Sequence, residues 1–308
     1  MSERLSEVDI PATRLVDDFD SAGGLEEAYD TCRRINEGHY ENFTVVSRLL
    51  PRDKHKYVHA FYAYCRFTDD LGDELKGNRM AALDRWEEAV RDSLDFSSNP
   101  SHPILLALQD TVRKLDLPRD QFYKLIEANR MDQNNHRYQT YEDLLEYCNH
   151  SANPVGRIFL NIFGYGTDRQ YRLSDKTCTG LQLTNFWQDV SRDEKKGRIY
   201  IPLEDMDRFN YGEEDLTNQV YDERFVKLLK FEVERARGLL EEGLGLVEFL
   251  EGRLKVDVTL FNKGGLAILD KIQALDYDVL HHRPTLSKVE KMELFLSTLI
   301  KTGLGALV

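Results

Sequence analysis

The chain has 308 residues, of which 41% are hydrophobic and 31% charged, a balance that is typical of soluble globular proteins and excludes a disordered chain. Acidic residues outnumber basic residues by 54 to 41, and the resulting net charge of −13 excludes nucleic acid as a partner. Divalent cations can still join an acidic site to an anionic small molecule, so a phosphate-bearing substrate is compatible with this charge.

The cysteines and the hydropathy bear on the cellular compartment. The four cysteines are isolated, and the sequence holds no CxxC pair and no secretory signal. No stretch approaches the roughly 18 apolar residues that span a bilayer. We therefore expect reduced thiols and a cytoplasmic location. Peripheral contact with the inner membrane, mediated by an apolar substrate, stays open.

Taken in chain order, residues 1–24 read as a loose arm because they combine an acidic run with Ser and Gly. Apolar residues at helical spacing then predict a helix over 25–37 and a second over 53–75. Further helical segments are predicted over 81–94, 104–115, 119–129, 141–163, 175–192, 222–250, 260–276 and 288–302. Since no β pattern or linker stands out, residues 25–308 are predicted to form one all-α domain of about eight to ten helices.

A first cluster of carboxylates, Asp69, Asp70 and Asp73, lies near the end of the second predicted helix. Asp69 and Asp73 are four residues apart, so they share a helix face with Arg66 and Tyr62. Two like charges on one face repel each other unless a divalent cation bridges their oxygens. A metal site explains the pattern, and a solvated acidic helix end is the alternative.

A second polar stripe lies on the helix predicted over 175–192. Gln182, Asn185, Asp189 and Asp193 follow the i, i+3, i+7, i+11 course of one face. The alternative is that Gln182 and Asn185 only satisfy each other in a helix interface. Two such helices in one bundle favour a magnesium site that holds a diphosphate, since Mg²⁺ prefers hard oxygen ligands and leaves room for phosphate.

The basic loop after this stripe carries Lys196 and Arg198 around Gly197. We interpret it as a segment that folds over phosphates and excludes water, with an ordinary basic loop as the alternative. His55 and His59 have the i, i+4 spacing found in zinc sites, but they lack an accompanying Glu. We interpret them as part of a solvent-exposed helix face.

With both acidic helices in place, the chain resembles the squalene and phytoene synthase family from residue 43 to the region of Tyr277. The resemblance rests on residues 47–51 (SRLLP), 61–66 (FYAYCR) and 182–185 (QLTN), and on both aspartate motifs. It implies an all-α class I isoprenoid synthase bundle with a central cavity. It also implies magnesium-dependent chemistry on a prenyl diphosphate.

Within the family, the sequence looks most like the hydroxysqualene synthase branch of bacterial hopanoid pathways, because of residues 39–43 (HYENF), 147–157 (YCNHSANPVGR) and 185–190 (NFWQDV). That resemblance implies ionisation of presqualene diphosphate, made by a sister enzyme that hands it over, and capture of the rearranged carbocation by water. Gln188 replaces the arginine that usually precedes the second motif. Less positive charge disfavours condensation of two diphosphates.

The expected site has about three Mg²⁺ ions and needs no nicotinamide. The expected metal ligands are Asp69, Asp70, Asp73, Asn185, Asp189 and Asp193, with Tyr62 added as a catalytic residue. The expected substrate-binding residues are Phe43, Arg66, Asn153, Arg157, Gln182, Lys196, Arg198 and Tyr277. Two alternatives stay open: head-to-head condensation of farnesyl diphosphate to presqualene diphosphate, squalene or a carotenoid precursor, and a non-catalytic assembly factor of the same fold.

Overall fold

The computed structural model describes residues 24–38, 51–97 and 99–302. These residues form helices and no strand, with one isolated bridge between Arg137 and Ile199, so the all-α prediction is confirmed. Almost all of the predicted N-terminal arm, as well as Phe43, lies outside the described residues.

The described chain divides into two compact units. The first runs up to Gln133 and includes Asn161–Gly164, and the second comprises Asn134–Leu160 and the residues from Tyr165 onward. The organisation of residues 25–308 as a single domain stays a prediction.

The first unit is built around a helix whose buried face is aromatic. Tyr64, Trp86 and Phe122 are fully buried, and the Tyr64 hydroxyl donates to the Phe122 carbonyl over 2.7 Å. The Trp86 indole donates to the Thr68 hydroxyl over 2.9 Å. These contacts fix the rotation of the helix that carries the first aspartate motif. The helices are α1 (Leu25–Gly38), α2 (His55–Asp73), α3 (Arg79–Leu94), α4 (Pro103–Leu115) and α5 (Asp120–Asn134), with a 3₁₀ turn at Arg52–Lys54.

The second unit is built around one long helix. Its helices are α6 (Tyr141–Ser151), α7 (Asn153–Ile162), α8 (Asp168–Glu194), α9 (Leu203–Arg208), α10 (Glu213–Thr217), α11 (Glu223–Gly243), α12 (Gly252–Ala274) and α13 (Lys288–Lys301), with a 3₁₀ helix at Leu244–Phe249. Helix α8 packs closely on α11, since a Cβ at Gly180 would lie 2.9 Å from the Leu240 side chain. The Trp187 indole donates to the Glu232 carbonyl, which holds the second polar stripe in place.

Several predicted boundaries were wrong for identifiable reasons. The single helix over 141–163 breaks at Ala152, because Pro154 cannot donate within a helix interior and instead suits a helix start. Helix α8 begins at Asp168 because Thr167 and Gln170 form a capping box. Helices α9 and α10 are too short to show periodicity, so the described residues hold more helices than the about eight to ten predicted.

Candidate functional site

The first motif is supported by neutral amides from α5. The Asn129 amide donates to an Asp69 oxygen over 3.2 Å and to the Leu125 carbonyl over 3.1 Å. The Gln133 amide donates to the Gly72 carbonyl over 2.9 Å. Sequence reasoning missed Asn129 and Gln133, because only tertiary packing brings them to the motif.

Gly72 allows this close approach of α5. A Cβ at that position would lie 2.2 Å from the Asn129 side-chain oxygen, closer than any real contact. The glycine of the motif is therefore required by packing, and it leaves the Asn129 amide within reach of Asp69.

Asp69 is a carboxylate whose charged form is disfavoured. Water reaches its side chain, yet the surrounding protein raises its pKa to about 6, and the charge of Asp73 adds to the rise. The hydrogen bond from Asn129 lowers the pKa and offsets part of that effect. A divalent cation would favour the ionised form, so the oxygen donors of this motif fit Mg²⁺.

Arg66 is directed mainly toward the neighbouring acidic residues. Its guanidinium lies 2.7 Å from an Asp70 oxygen and 3.0 Å from a Glu74 oxygen. Tyr62, one turn earlier, has its pKa raised by burial, while the charge of Arg66 lowers it. The structure thus places Tyr62, Arg66 and Asp69 along one side of α2, as the spacing predicted.

The second motif occupies one face of α8. Asp193 is half-buried, and burial together with the charge of Asp189 raises its pKa to about 6. No hydrogen bond joins Gln182 to Asn185 in the described part of the chain, so the interface alternative gains no support. These carboxylate and amide oxygens are again the hard donors that suit Mg²⁺.

Asp189 is the point at which α8 departs from helical geometry, with φ −111° and ψ 15°. Arg283 binds it in a bidentate ion pair, with Nε 2.6 Å from Oδ1 and Nη2 2.8 Å from Oδ2. Arg192 lies 3.5 Å from the same carboxylate. Sequence reasoning missed Arg283, which lies 94 residues away along the chain.

Gln188 does not point into solvent. Its side chain is 8% exposed, and its amide donates to the Pro284 carbonyl over 2.5 Å. This neutral residue therefore joins α8 to the segment before α13.

The basic loop is anchored at its base. Amides of Lys196 and Arg198 both donate to the Asp193 carbonyl, and the Arg137 guanidinium donates to the Gly197 carbonyl over 2.6 Å. The positive charges of Lys196 and Arg198 lower the pKa of Asp193, which places both close to the second motif. The structure thus brings these two predicted phosphate contacts to the carboxylates of α8.

Three other predicted substrate residues have partners within the second unit. The Thr179 hydroxyl donates to the buried Asn153 over 2.9 Å. Arg157 forms a bidentate ion pair with Asp175 at 2.9 and 2.6 Å. Tyr277 is buried, with its pKa raised by that burial. Their roles in substrate binding stay predictions.

Among the residues that the structure describes, no group of three or more His, Cys, Asp or Glu side chains is arranged to hold a metal ion by itself. Each aspartate motif nevertheless offers oxygen donors whose anionic form a cation would stabilise.

Comparisons with known proteins agree on one family. The sequence profile of the Squalene/phytoene synthase family matches residues 36–290. The solved structure of squalene synthase HpnC from Alicyclobacillus acidocaldarius is 43% identical, covers 82% of this chain and 95% of its own, and superimposes with a TM-score of 0.79. The 15-cis-phytoene synthase of Synechocystis sp. is 34% identical over 87% of this chain and 83% of its own length. A solved dehydrosqualene synthase, 24% identical, covers 91% of this chain and 98% of its own with a TM-score of 0.80, which shows the shared isoprenoid synthase fold.

Proposed function

The chain belongs to the squalene/phytoene synthase family of prenyltransferase-type enzymes, and we propose that it converts presqualene diphosphate and water into hydroxysqualene and diphosphate. The observation that carries this choice is the neutral Gln188 beside Asp189, whose side chain is hydrogen-bonded to Pro284, where the resemblance implies an arginine. Holding two prenyl diphosphates requires more positive charge than ionising one. The likeness to squalene synthase HpnC, at 43% identity, supports squalene-type rather than phytoene-type chemistry.

The family depends on divalent metals in general, and Mg²⁺, when bound, would neutralise the charge that develops on the leaving diphosphate. We propose that each motif binds Mg²⁺ and that both are required to ionise the diphosphate. The proposed ligands are Asp69, Asp70, Asp73, Asn185, Asp189 and Asp193. Lys196 and Arg198, already close to Asp193, would bind phosphate oxygens and compensate the acidic surroundings.

The reaction balances without a reductant. The bond from carbon to the diphosphate oxygen breaks, the cation rearranges, and water adds to it with release of a proton. We therefore propose that no nicotinamide is required. The choice of water over hydride then depends on residues that place water in the apolar cavity proposed for the prenyl chains, and Asn153 and Arg157 are the candidates.

A second candidate function is head-to-head condensation of two prenyl diphosphates. Phytoene synthases match most of this chain, and the Synechocystis enzyme is 34% identical to it. This similarity favours the condensation reaction. A non-catalytic assembly factor is disfavoured, because both aspartate motifs are complete.

Substrate choice separates these functions. The purified protein with Mg²⁺ should consume presqualene diphosphate and leave farnesyl diphosphate intact, as measured by liquid chromatography and mass spectrometry. Formation of presqualene diphosphate or phytoene from the shorter diphosphates would make the protein a condensing enzyme. Failure to consume any prenyl diphosphate would favour the assembly factor.

Partners and location follow from the substrate. No helix within the described ranges is long and apolar enough to cross a membrane. We propose that a presqualene diphosphate synthase hands its product to this enzyme in the cytoplasm. Peripheral contact with the inner membrane belongs to the same proposal, because the product is a long, mostly apolar alcohol that partitions into lipid.

A further inference from the structure

The segment between α12 and α13 forms a strap, which we define as residues 277–287. It begins at the second of two consecutive residues with positive φ, Asp276 at 49° and Tyr277 at 67°, and it ends at the capping box of Ser287 and Glu290. The Tyr221 hydroxyl donates to the Asp276 carbonyl over 2.9 Å, and Lys271 pairs with Glu290 at 2.7 Å. Both ends of the strap are therefore held to the second unit.

The strap lies on the second aspartate motif through two adjacent residues of α8. Gln188 binds the Pro284 carbonyl, and Asp189 binds the Arg283 guanidinium. Side chains of adjacent residues in a regular helix diverge by about 100°. The departure of Asp189 from helical geometry accompanies this double contact, so the kink and the strap belong to one arrangement.

The two contacts differ in how easily they separate. Gln188 and Pro284 are buried, so breaking their hydrogen bond would leave a buried carbonyl unsatisfied. Arg283 is 33% exposed and Asp189 is 22% exposed, so water can replace that ion pair at modest cost. The Gln188 contact thus acts as the anchor and the Arg283 contact as the part that can release.

The Arg283 contact and a metal ion would use the same atoms. Arg283 binds both carboxylate oxygens of Asp189 in a bidentate ion pair. A cation that coordinates those oxygens competes with the guanidinium for their lone pairs and their negative charge, so metal binding weakens the ion pair. Arg283 is also close to Asp193, whose charge raises the pKa of the guanidinium.

We propose that the strap controls the access of Mg²⁺ to Asp189, and that Gln188 is the positioning residue that keeps Arg283 on this carboxylate. This inference rests on the proposed function, since it requires that Asp189 binds the metal. Gln188 keeps Arg283 at high effective concentration near Asp189, so the ion pair reforms quickly whenever the metal leaves. Gln188 thereby weakens metal binding at the second motif.

The test is a titration of the full-length protein with Mn²⁺ in the presence of inorganic diphosphate, followed by electron paramagnetic resonance. The Asp189 site is defined as the binding that is lost in Asp189→Asn. Arg283→Gln should tighten this site by about fivefold or more, because the competing cation is gone. Gln188→Leu should tighten it by about twofold to fivefold without any change of charge, because the anchor of the strap is removed.

Arg192→Gln is the matched control. It removes the same charge from the same carboxylate, but Arg192 is 63% exposed and lies outside the strap. Its effect should stay below about twofold. Gln188→Asn provides a milder second variant, with thermal unfolding showing that each protein is folded.

Three results would overturn the proposal. Unchanged Mn²⁺ affinity in Arg283→Gln and in the folded Gln188 variants would show that the strap does not compete. An equal effect of Arg192→Gln would show that any loss of positive charge near Asp189 tightens metal binding, without a specific role for the strap. If neither the wild-type protein nor any variant binds Mn²⁺, both the metal site and the role of the strap are contradicted. If the wild-type protein binds Mn²⁺ normally and the variants behave like it, only the role of the strap is contradicted.

Discussion

The two aspartate motifs are supported in opposite ways. Asp69 accepts a hydrogen bond from the neutral amide of Asn129, whereas Asp189 is held by the charged guanidinium of Arg283. A neutral donor orients a carboxylate and leaves its negative charge available to a cation, while an arginine occupies that charge. Under the proposed function, Asp69 would bind a cation without first releasing an arginine, although Arg66 pairs with the neighbouring Asp70, whereas Asp189 would exchange Arg283 for a metal ion.

Removal of one carboxylate from each motif is expected to have the largest effect. Asp69→Ala and Asp189→Ala should each lower Mg²⁺-dependent turnover by about 10³-fold, since each removes a proposed ligand at the leaving group. Circular dichroism should show an unchanged fold. Glu293→Ala, which changes an exposed carboxylate on α13, is the control and should keep full activity. Full activity in either motif variant would contradict a role for that motif.

The packing that supports the first motif can be broken with one methyl group. Gly72→Ala should destabilise the protein by about 1–3 kcal/mol, because the new Cβ would meet the Asn129 side chain at 2.2 Å. Chemical denaturation measures the loss. Gly264→Ala in α12 is the matched control: its Cβ meets nothing within 4 Å, and it should stabilise the helix by about 0.5–1 kcal/mol. Equal effects would show that the approach of α5 is not tight.

Asp257 has a carboxyl group that, among the described residues, accepts a hydrogen bond neither from a neutral amide nor from a guanidinium. It is fully buried, neither oxygen has a hydrogen-bond partner in the described part of the chain, and burial raises its pKa from 3.8 to about 8, with Arg253 offsetting little. The unfolded chain then releases this proton at lower pH than the folded chain. The free energy of unfolding should therefore fall as the pH rises from about 4 to about 8.

Asp257→Asn should flatten that dependence by up to about 1.4 kcal/mol per pH unit, as measured by urea denaturation across the range. Glu232, whose pKa is also raised to about 8, acts in the same direction and accounts for the slope that remains. A variant with the wild-type slope would show that Asp257 is ionised in the folded protein.

The smallest expected effect is on the acid limb of the pH profile. The hydrogen bond from Asn129 lowers the pKa of Asp69, so Asn129→Leu should raise that pKa above about 6. Activity should then be lost at a higher pH than in the wild type, as seen in kcat/KM against pH. Glu293→Ala, which changes an exposed carboxylate on α13, should not shift this limb. A shift in both variants would show that the limb does not report on the contact between Asn129 and Asp69.

Local pattern was sufficient to predict the all-α fold and the two polar stripes, because helical spacing alone places Asp69 with Asp73 and Asp189 with Asp193. The break at Ala152 was missed, although Pro154 is a local signal for a helix start. The contacts that hold the aspartates of the two motifs could not be predicted from the sequence. Asn129 and Arg283 lie 60 and 94 residues from their carboxylates along the chain, and only packing brings each pair together.

Gln188 illustrates the same limit. Its identity indicated a lost charge, which the sequence shows directly, but its hydrogen bond to Pro284 depends on the path of the strap. Arg157 is a second example, since its ion pair with Asp175 joins α7 to α8 and could not be read from spacing. Residue types thus predict which oxygen donors each motif offers, and tertiary contacts determine what those donors are bound to.

The most direct test of the account is the fate of oxygen during turnover. Presqualene diphosphate should be incubated with the protein and Mg²⁺ in ¹⁸O-labelled water, without a nicotinamide, and the C30 product analysed by mass spectrometry. The account predicts hydroxysqualene that carries one labelled oxygen. Squalene without oxygen, or an alcohol whose oxygen is unlabelled and comes from the diphosphate, would contradict capture of the cation by water.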